Sequence, residues 1–353
     1  MSECRCAAQF PAREMTVWVV LLVLTTLATG CSFEPTPDFI TAVRQEARTC
    51  IERGMVYPFD PAVRAQAMEA ASKVLGDSGR LRIREGLKDQ HPGVRFAAAM
   101  ALGKLRDKAA VPAMEALTND PDVSVRLAAY FALEQCGLPT TERRTAWRDH
   151  LRKHENPEVR RNAVLALGQL GDRSTVPLLR AAASGDSDEG VRTQALEGLA
   201  MLGDKDAISR FIFEAFGGVG YRQPFAVMTL GQVPDDRVVP ILRSRLASSP
   251  YLEAKLAAAR GLGAKGYADG LGLAMRSLDW NKPDRSLAED RPENQIMRVR
   301  SMAAMALGEI GDPRALGMLK KTMENPEDPR VQLAAATAIL MIVDREALQP
   351  SVR

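Results

Sequence analysis

VRFAAAMALGKLRD at 94–107, VRRNAVLALGQLGD at 159–172 and VRSMAAMALGEIGD at 299–312 are three copies of one pattern. It reads V-R-x-x-A-x-x-x-L-G, with an aspartate four residues after the glycine. Looser copies begin at Val63, Val125, Val191, Arg222, Ala254 and Val331. The arginine position of the pattern holds Arg64, Arg95, Arg126, Arg160, Arg192, Gln223, Lys255, Arg300 and Gln332. Successive members are 31, 31, 34, 32, 31, 32, 45 and 32 residues apart. A period this regular marks a stacked repeat array, because a unit of this size buries its apolar face only against its neighbours.

Each period holds two helical segments, and the second carries the pattern. Val94, Ala98, Ala101, Leu102 and Leu105 fall at helical spacing. An alanine three places after the arginine position recurs at Ala67, Ala98, Ala129, Ala163, Ala195, Ala226, Ala258, Ala303 and Ala335, small enough for neighbouring helices to approach closely. Asp60-Pro61 and Asn156-Pro157 read as an N-cap followed by a first-turn proline. Gly171-Asp172, Gly203-Asp204 and Gly311-Asp312 suit a chain leaving a helix. The long interval contains an insertion, DWNKPDRSLAEDRPENQI at 279–296, rich in charge and proline. The expected fold is all-α: an α-α superhelix, a right-handed solenoid of about nine two-helix units over 60–353. Residues 39–53 also show helical spacing and are expected to cap the array.

These features resemble the HEAT family, especially the short bacterial HEAT-like repeats and the phycobilin-lyase type. The resemblance covers residues 60–353. In that family an aspartate six residues before the arginine joins it in a hydrogen-bond ladder between repeats. Asp89 and Arg95, Asp120 and Arg126, and Asp186 and Arg192 match that spacing. Gln223, Lys255 and Gln332 replace the arginine in repeats six, seven and nine, so the ladder should be incomplete toward the C-terminus. The resemblance also implies a binding surface rather than an active site.

The residue inventory points the same way. A net charge of +3 is too small to argue for nucleic acid. The histidines are His91, His150 and His154, no C-x-x-C pair occurs, and a zinc site would be poor in ligands. Deoxyhypusine hydroxylase, a HEAT-like enzyme, builds a di-iron site from several His-Glu pairs; here His154-Glu155 is the single such pair. Phycobilin lyases act on cytoplasmic antenna proteins, a compartment at odds with the N-terminus of this chain. The reading is therefore a non-enzymatic scaffold with no metal, no cofactor and no nucleic-acid partner; a HEAT-like enzyme or cofactor lyase is the alternative.

That N-terminus, residues 1–30, reads as a signal peptide. Arg5 and Arg13 precede an apolar stretch from Val17 to Leu27, about the length of a secretory core and short of a membrane span. Ala28-Thr29-Gly30-Cys31 then resembles a bacterial lipobox, in which the Cys31 thiol is diacylated and the signal is then cut in front of it; an uncleaved anchor, or an ordinary cleaved signal with an incidental cysteine, is the other reading. Ser32 after the cysteine resembles an outer-membrane address. Met1 and Met15 are both possible starts. The expected layout is a signal peptide at 1–30, a lipidated cysteine, short tether and capping helix at 31–59, and the array at 60–353. Cys50 and Cys136 remain after processing, either paired or free.

Pattern helices line the concave side of such arrays. Phe96, Met100, Leu127, Tyr130 and Phe131 then form an apolar cluster suited to a helix or extended peptide of a protein partner. The competing reading packs the same side chains between repeats. Gly217-Gly218-Val219-Gly220 has neither the lysine nor the spacing of a phosphate loop and reads as an inter-repeat turn.

Overall fold

A computed structural model describes residues 34–284 and 289–348. Every regular element among them is helical, and the helices alternate in pairs. The pairs are α1 (Pro37–Met55) with α2 (Pro61–Val74), α3 (Gly76–Gly86) with α4 (Pro92–Lys104), and α5 (Val111–Leu117) with α6 (Val123–Gln135). Next come α7 (Thr141–Lys153) with α8 (Pro157–Gln169), α9 (Val176–Gly185) with α10 (Glu189–Met201), and α11 (Lys205–Gly217) with α12 (Arg222–Gln232). The last three are α13 (Val239–Ser248) with α14 (Leu252–Ala264), α15 (Leu271–Ser277) with α16 (Pro292–Ile310), and α17 (Leu316–Glu324) with α18 (Pro329–Leu348). The signal sequence and Cys31 lie outside the described residues.

The even-numbered helices carry the sequence pattern and pack on one another in order; from α5 onward each odd-numbered helix packs mainly on the even one that follows it, while α3 packs on both α2 and α4 and α1 mainly on α18. Close packing needs small residues at the crossings, and the pattern supplies them. The recurrent alanines from Ala67 to Ala335 are buried in all nine copies. A Cβ placed on Gly168 would lie 2.9 Å from the Gly198 Cα, and one on Gly231 2.8 Å from the Gly261 Cα. The glycine of the pattern thus marks where backbones touch. The aspartate that follows it has a separate task. Asp107, Asp172, Asp235 and Asp312 each accept a backbone N–H two residues on, capping the short turn that opens the next repeat. Asp60 and Asn156 cap α2 and α8 as their Asp-Pro and Asn-Pro sequences require.

Two features depart from the sequence reading. The insertion is shorter as a loop than 279–296, because α16 begins at Pro292 and takes the last residues of the insertion as its first turn. Gln295, buried in that turn, bonds the Asp284 and Asp290 carbonyls and ties the loop down. The second departure is larger: the array closes on itself. The α18 helix packs against both α1 and α2. Arg44 donates to the Val343 carbonyl at 3.0 Å and pairs with Asp344 at 3.3 Å. Lys320 pairs with Glu46, and Lys73 with Glu309 at 2.7 Å. At Gly54 a Cβ would meet the Leu333 side chain at 2.6 Å, so the first and last repeats interlock there. Helix α1 therefore does not shield an open end; its apolar face (Val43, Ala47 and Ile51) is covered by α18 and α2. The concave side becomes the inside of a ring, where α2, α4, α12, α14, α16 and α18 all border one axial cavity of about 660 Å³.

Candidate interaction surface

The turns from odd to even helices form one rim, and the arginine ladder runs along it. Arg64 grips the Asp89 carboxylate through Nε and Nη2 at 2.8 and 2.9 Å. Arg95 grips Asp120 at 2.8 and 2.9 Å, and Arg160 grips Asp186 at 2.8 Å through both nitrogens. Each carboxylate thus belongs to the repeat after its arginine. The six-residue spacing within a repeat serves another bond: Arg95 Nη1 donates to the Asp89 carbonyl, Arg126 to that of Asp120 and Arg192 to that of Asp186. One guanidinium therefore ties its own turn with one nitrogen and the next repeat with the other two. Burial alone would raise the Asp89 and Asp120 carboxyls, but the hydrogen bonds from Arg64 and Arg95, with a backbone N–H apiece, hold both below the ordinary aspartate range. Asp186 is held down first by Arg160, against burial.

A second set of ion pairs, not read from the sequence, runs along the opposite rim. Arg84 pairs with Asp107 at 2.8 Å, Arg180 with Asp204 at 2.6 Å and Arg243 with Asp269 at 3.2 Å. Its only sequence signal was the aspartate after the pattern glycine.

The ladder changes chemistry toward the C-terminus. Gln223 and Ser249 are both buried, and the Ser249 hydroxyl donates to the Gln223 side-chain oxygen. This is a neutral rung at the position of an arginine–aspartate pair. Between Arg192 and Gln223 the rung is missing. The residue that ends α11, Gly218, has φ −65° and ψ 140°, close to the −71° and 139° of Asp186 at the end of α9. A Cβ on Gly218 would lie 2.5 Å from the Glu214 carbonyl oxygen, so no aspartate fits there without a shift of backbone.

Beside that gap lies the largest cluster of exposed apolar side chains. Phe213, Phe216, Val219 and Tyr221 are 50–75% exposed within nine residues of chain. The buried Arg245 guanidinium stands 4.0 Å from the centre of the Phe216 ring and fixes it from below. The turn itself is pinned, since the Gly220 N–H donates to the Tyr251 hydroxyl at 3.1 Å. It joins α11 to α12 within a repeat, not one repeat to the next. Phe59 projects from the same rim at the α1–α2 turn, with its ring edge-on to Tyr57.

The expected apolar cluster is placed differently. Met100, Leu127 and Phe131 are buried, and the Phe131 ring sits 2.7 Å from where a Cβ on Gly103 would be. They are packing between α4 and α6, not a groove. Phe96 and Tyr130 are half-buried against the core, and Tyr130 meets the buried Trp147 edge-on at 6.3 Å. The physical reason is that α4 and α6 are covered by even-numbered neighbours on both sides and by odd-numbered helices behind. Cys50 and Cys136 are separate free thiols; burial pushes the first up to about 11 and raises the second. His154 takes the aspartate position beside Arg126, with His150 5.7 Å away ring to ring. Among the described residues no three His, Cys, Asp or Glu side chains are placed to hold a metal ion, and no helix is long and apolar enough to cross a membrane.

Family comparison matches the chain to HEAT repeats over residues 55–134, 145–212 and 297–350. The chain belongs to the HEAT-repeat family. No curated protein sequence matches it significantly. Among solved structures it is similar to the complex of CpcE and CpcF of phycocyanin lyase from Nostoc, with 18% identity, 85% of this chain and 100% of that chain covered, and a TM-score of 0.41. It is also similar to human deoxyhypusine hydroxylase in complex with glycerol, with 17% identity, 87% and 99% covered, and a TM-score of 0.36. Likeness at this level carries no inference about activity.

Proposed function

We propose that this protein is a non-enzymatic interaction scaffold of the bacterial envelope, held to a membrane by lipid on Cys31, that receives a protein partner on its odd-to-even rim. The observation that carries the reading is the exposed Phe213–Tyr221 surface, four large apolar side chains within nine residues of chain. Contiguous exposed aromatics on a soluble fold mark interaction sites.

The anchor and the docking face are compatible in direction. Helix α1 has 19 residues and so spans about 28 Å from the tether side at Pro37 to the rim at Val56. Pro37, where the described helices begin, stands on the rim opposite the α11–α12 turn, which supports a docking face turned away from an anchoring membrane. A photo-reactive residue at Phe213 should capture an envelope protein in the native host, while one at Leu138 on the opposite rim should not. Capture at neither position would remove the scaffold reading, and iron or a visible chromophore in the purified protein would replace it with an enzymatic one. Metabolic labelling with an alkynyl fatty acid should mark the wild type and not Cys31→Ala; an unlabelled wild type would remove the anchor.

A further inference from the structure

Arg192 is a ladder arginine with its carboxylate removed. Its Nη1 donates to the Asp186 and Ser187 carbonyls at 2.8 and 2.9 Å, which sets the guanidinium in the same pose as those of Arg95 and Arg160. In those two the Nε–Nη2 edge is filled by Asp120 and Asp186. Beside Arg192 the corresponding position is Gly218, where the Glu214 carbonyl leaves no room for a side chain. Among the described residues no carboxylate forms an ion pair with Arg192.

Arg192 lines a pocket of about 290 Å³, room for one or two side chains. Arg210, Thr193 and Tyr221 also line it, as does Glu214, which forms no ion pair among the described residues. Arg210 has no carboxylate partner there either, while Arg222 is committed to Glu189 at 2.7 Å. Tyr221 belongs both to this pocket and to the exposed apolar surface that continues through Val219, Phe216 and Phe213. A pre-oriented guanidinium fork thus sits at one end of an aromatic patch.

We infer that this site receives a peptide segment of the partner in which a carboxylate is flanked by apolar side chains, the carboxylate completing the missing rung on Arg192 and the apolar residues covering Phe213, Phe216 and Val219. The inference rests on the scaffold reading above and names the chemistry of its partner. A planar fork matches a carboxylate with two parallel hydrogen bonds, as it does in the filled rungs. Arg210 adds a second positive charge. A lipid surface fits less well, because the same rim carries Asp60, Glu155, Asp188 and Glu253, which an anionic headgroup layer would repel.

The test uses detergent-solubilised full-length protein and a fluorescein-labelled twelve-residue peptide with a central Leu-Glu-Leu-Phe segment, read by fluorescence anisotropy. Two further peptides replace the glutamate by glutamine, or the leucines and phenylalanine by serine. The glutamate peptide should bind about ten-fold more tightly than the glutamine form, the order expected of a charge-assisted pair. In Arg192→Gln the two peptides should bind equally, and in Arg192→Lys the preference should be partly kept. Phe213→Ser should weaken both alike. The Arg192→Gln chain is expected to fold, since Gln223 and Gln332 hold that position in other repeats. Equal binding of the glutamate and glutamine peptides to the wild type overturns the inference, and so does tighter binding to phosphatidylglycerol vesicles than to the peptide. Capture of a protein at Phe213 that persists in Arg192→Gln leaves the scaffold reading standing and removes this one. Arg192-dependent peptide binding with no protein captured in the host does the reverse.

Discussion

The first five repeats and the last four solve the same geometric problem with different chemistry. In the first five, Arg64, Arg95 and Arg160 hold the next repeat by bidentate bonds to Asp89, Asp120 and Asp186. In the last four, Gln223 meets Ser249, Arg300 reaches Glu327 at 2.6 Å, and Gln332 bonds the Met323 carbonyl. The even-numbered helices α12 and α14 pack closely across a neutral rung, so a charged rung is not required for stacking, whereas α10 and α12 meet least, where the rung is missing. The charged rungs set how strongly each turn is held, and among the described residues they leave two ladder arginines without a carboxylate, Arg126, where His154 stands in its place, and Arg192, where Gly218 does.

The comparison can be broken most sharply at a single carboxylate. Asp186→Ala leaves the Arg160 guanidinium, 11% exposed, without its partner, and should cost about 3 kcal/mol in urea unfolding. Ser249→Ala removes a neutral bond and should cost about 1 kcal/mol. Equal losses would mean that the two chemistries are equivalent.

Acid sharpens the same contrast. The Asp89, Asp120 and Asp186 carboxyls sit below their ordinary value, so they stabilise the fold above the unfolded-state value of about 3.9 and lose that contribution as pH falls through their folded values. Hydrogen exchange on acidification below about pH 4 should therefore open the turns at 87–91, 118–122 and 184–188 before the turn at 249–252. Simultaneous opening would show that ring closure, not the rung, governs each turn.

The two halves also meet where α18 seats on α1. Gly54→Leu would drive a side chain into Leu333 and should cost about 2 kcal/mol, with a larger radius of gyration in solution scattering if the ring parts there. An unchanged radius would place the closure elsewhere along that contact. The smallest effect belongs to the missing rung. Arg192→Gln should cost no more than about 1 kcal/mol, because it gives up bonds to the Asp186 and Ser187 carbonyls but no carboxylate pair. A loss as large as that of Asp186→Ala would show that the edge is already occupied.

Much of this was legible in the residues. The nine arginine positions, the buried alanines and the aspartate caps follow from a strict period. The register of the ladder was half legible: a six-residue spacing joined Asp89 to Arg95, yet the carboxylate of Asp89 belongs to Arg64, 25 residues upstream. The burial of Met100, Leu127 and Phe131 was not legible, for a definable reason. The α4 helix buries Val94 and every residue from Ala97 to Gly103, so it is apolar almost all round and periodicity cannot select its outward face. Phe213, Phe216 and Tyr221 lay in a segment read only for its glycines.

The sequence by itself determined the unit, its repetition, the caps at its turns and the change from arginine to glutamine along the ladder. These are local matters, decided by helix periodicity and by which side chain can reach its own backbone. Only the tertiary structure decided that the array closes, that Met100, Leu127 and Phe131 are core, and that Arg192 faces no carboxylate. The first two depend on residues brought together from distant parts of the chain, Gly54 with Leu333 and Gly103 with Phe131, and the third on how the last turn of α11 sets Gly218 against the Glu214 carbonyl. Whether a side chain fits at such a place is set by the approach of backbones, which a linear pattern does not contain.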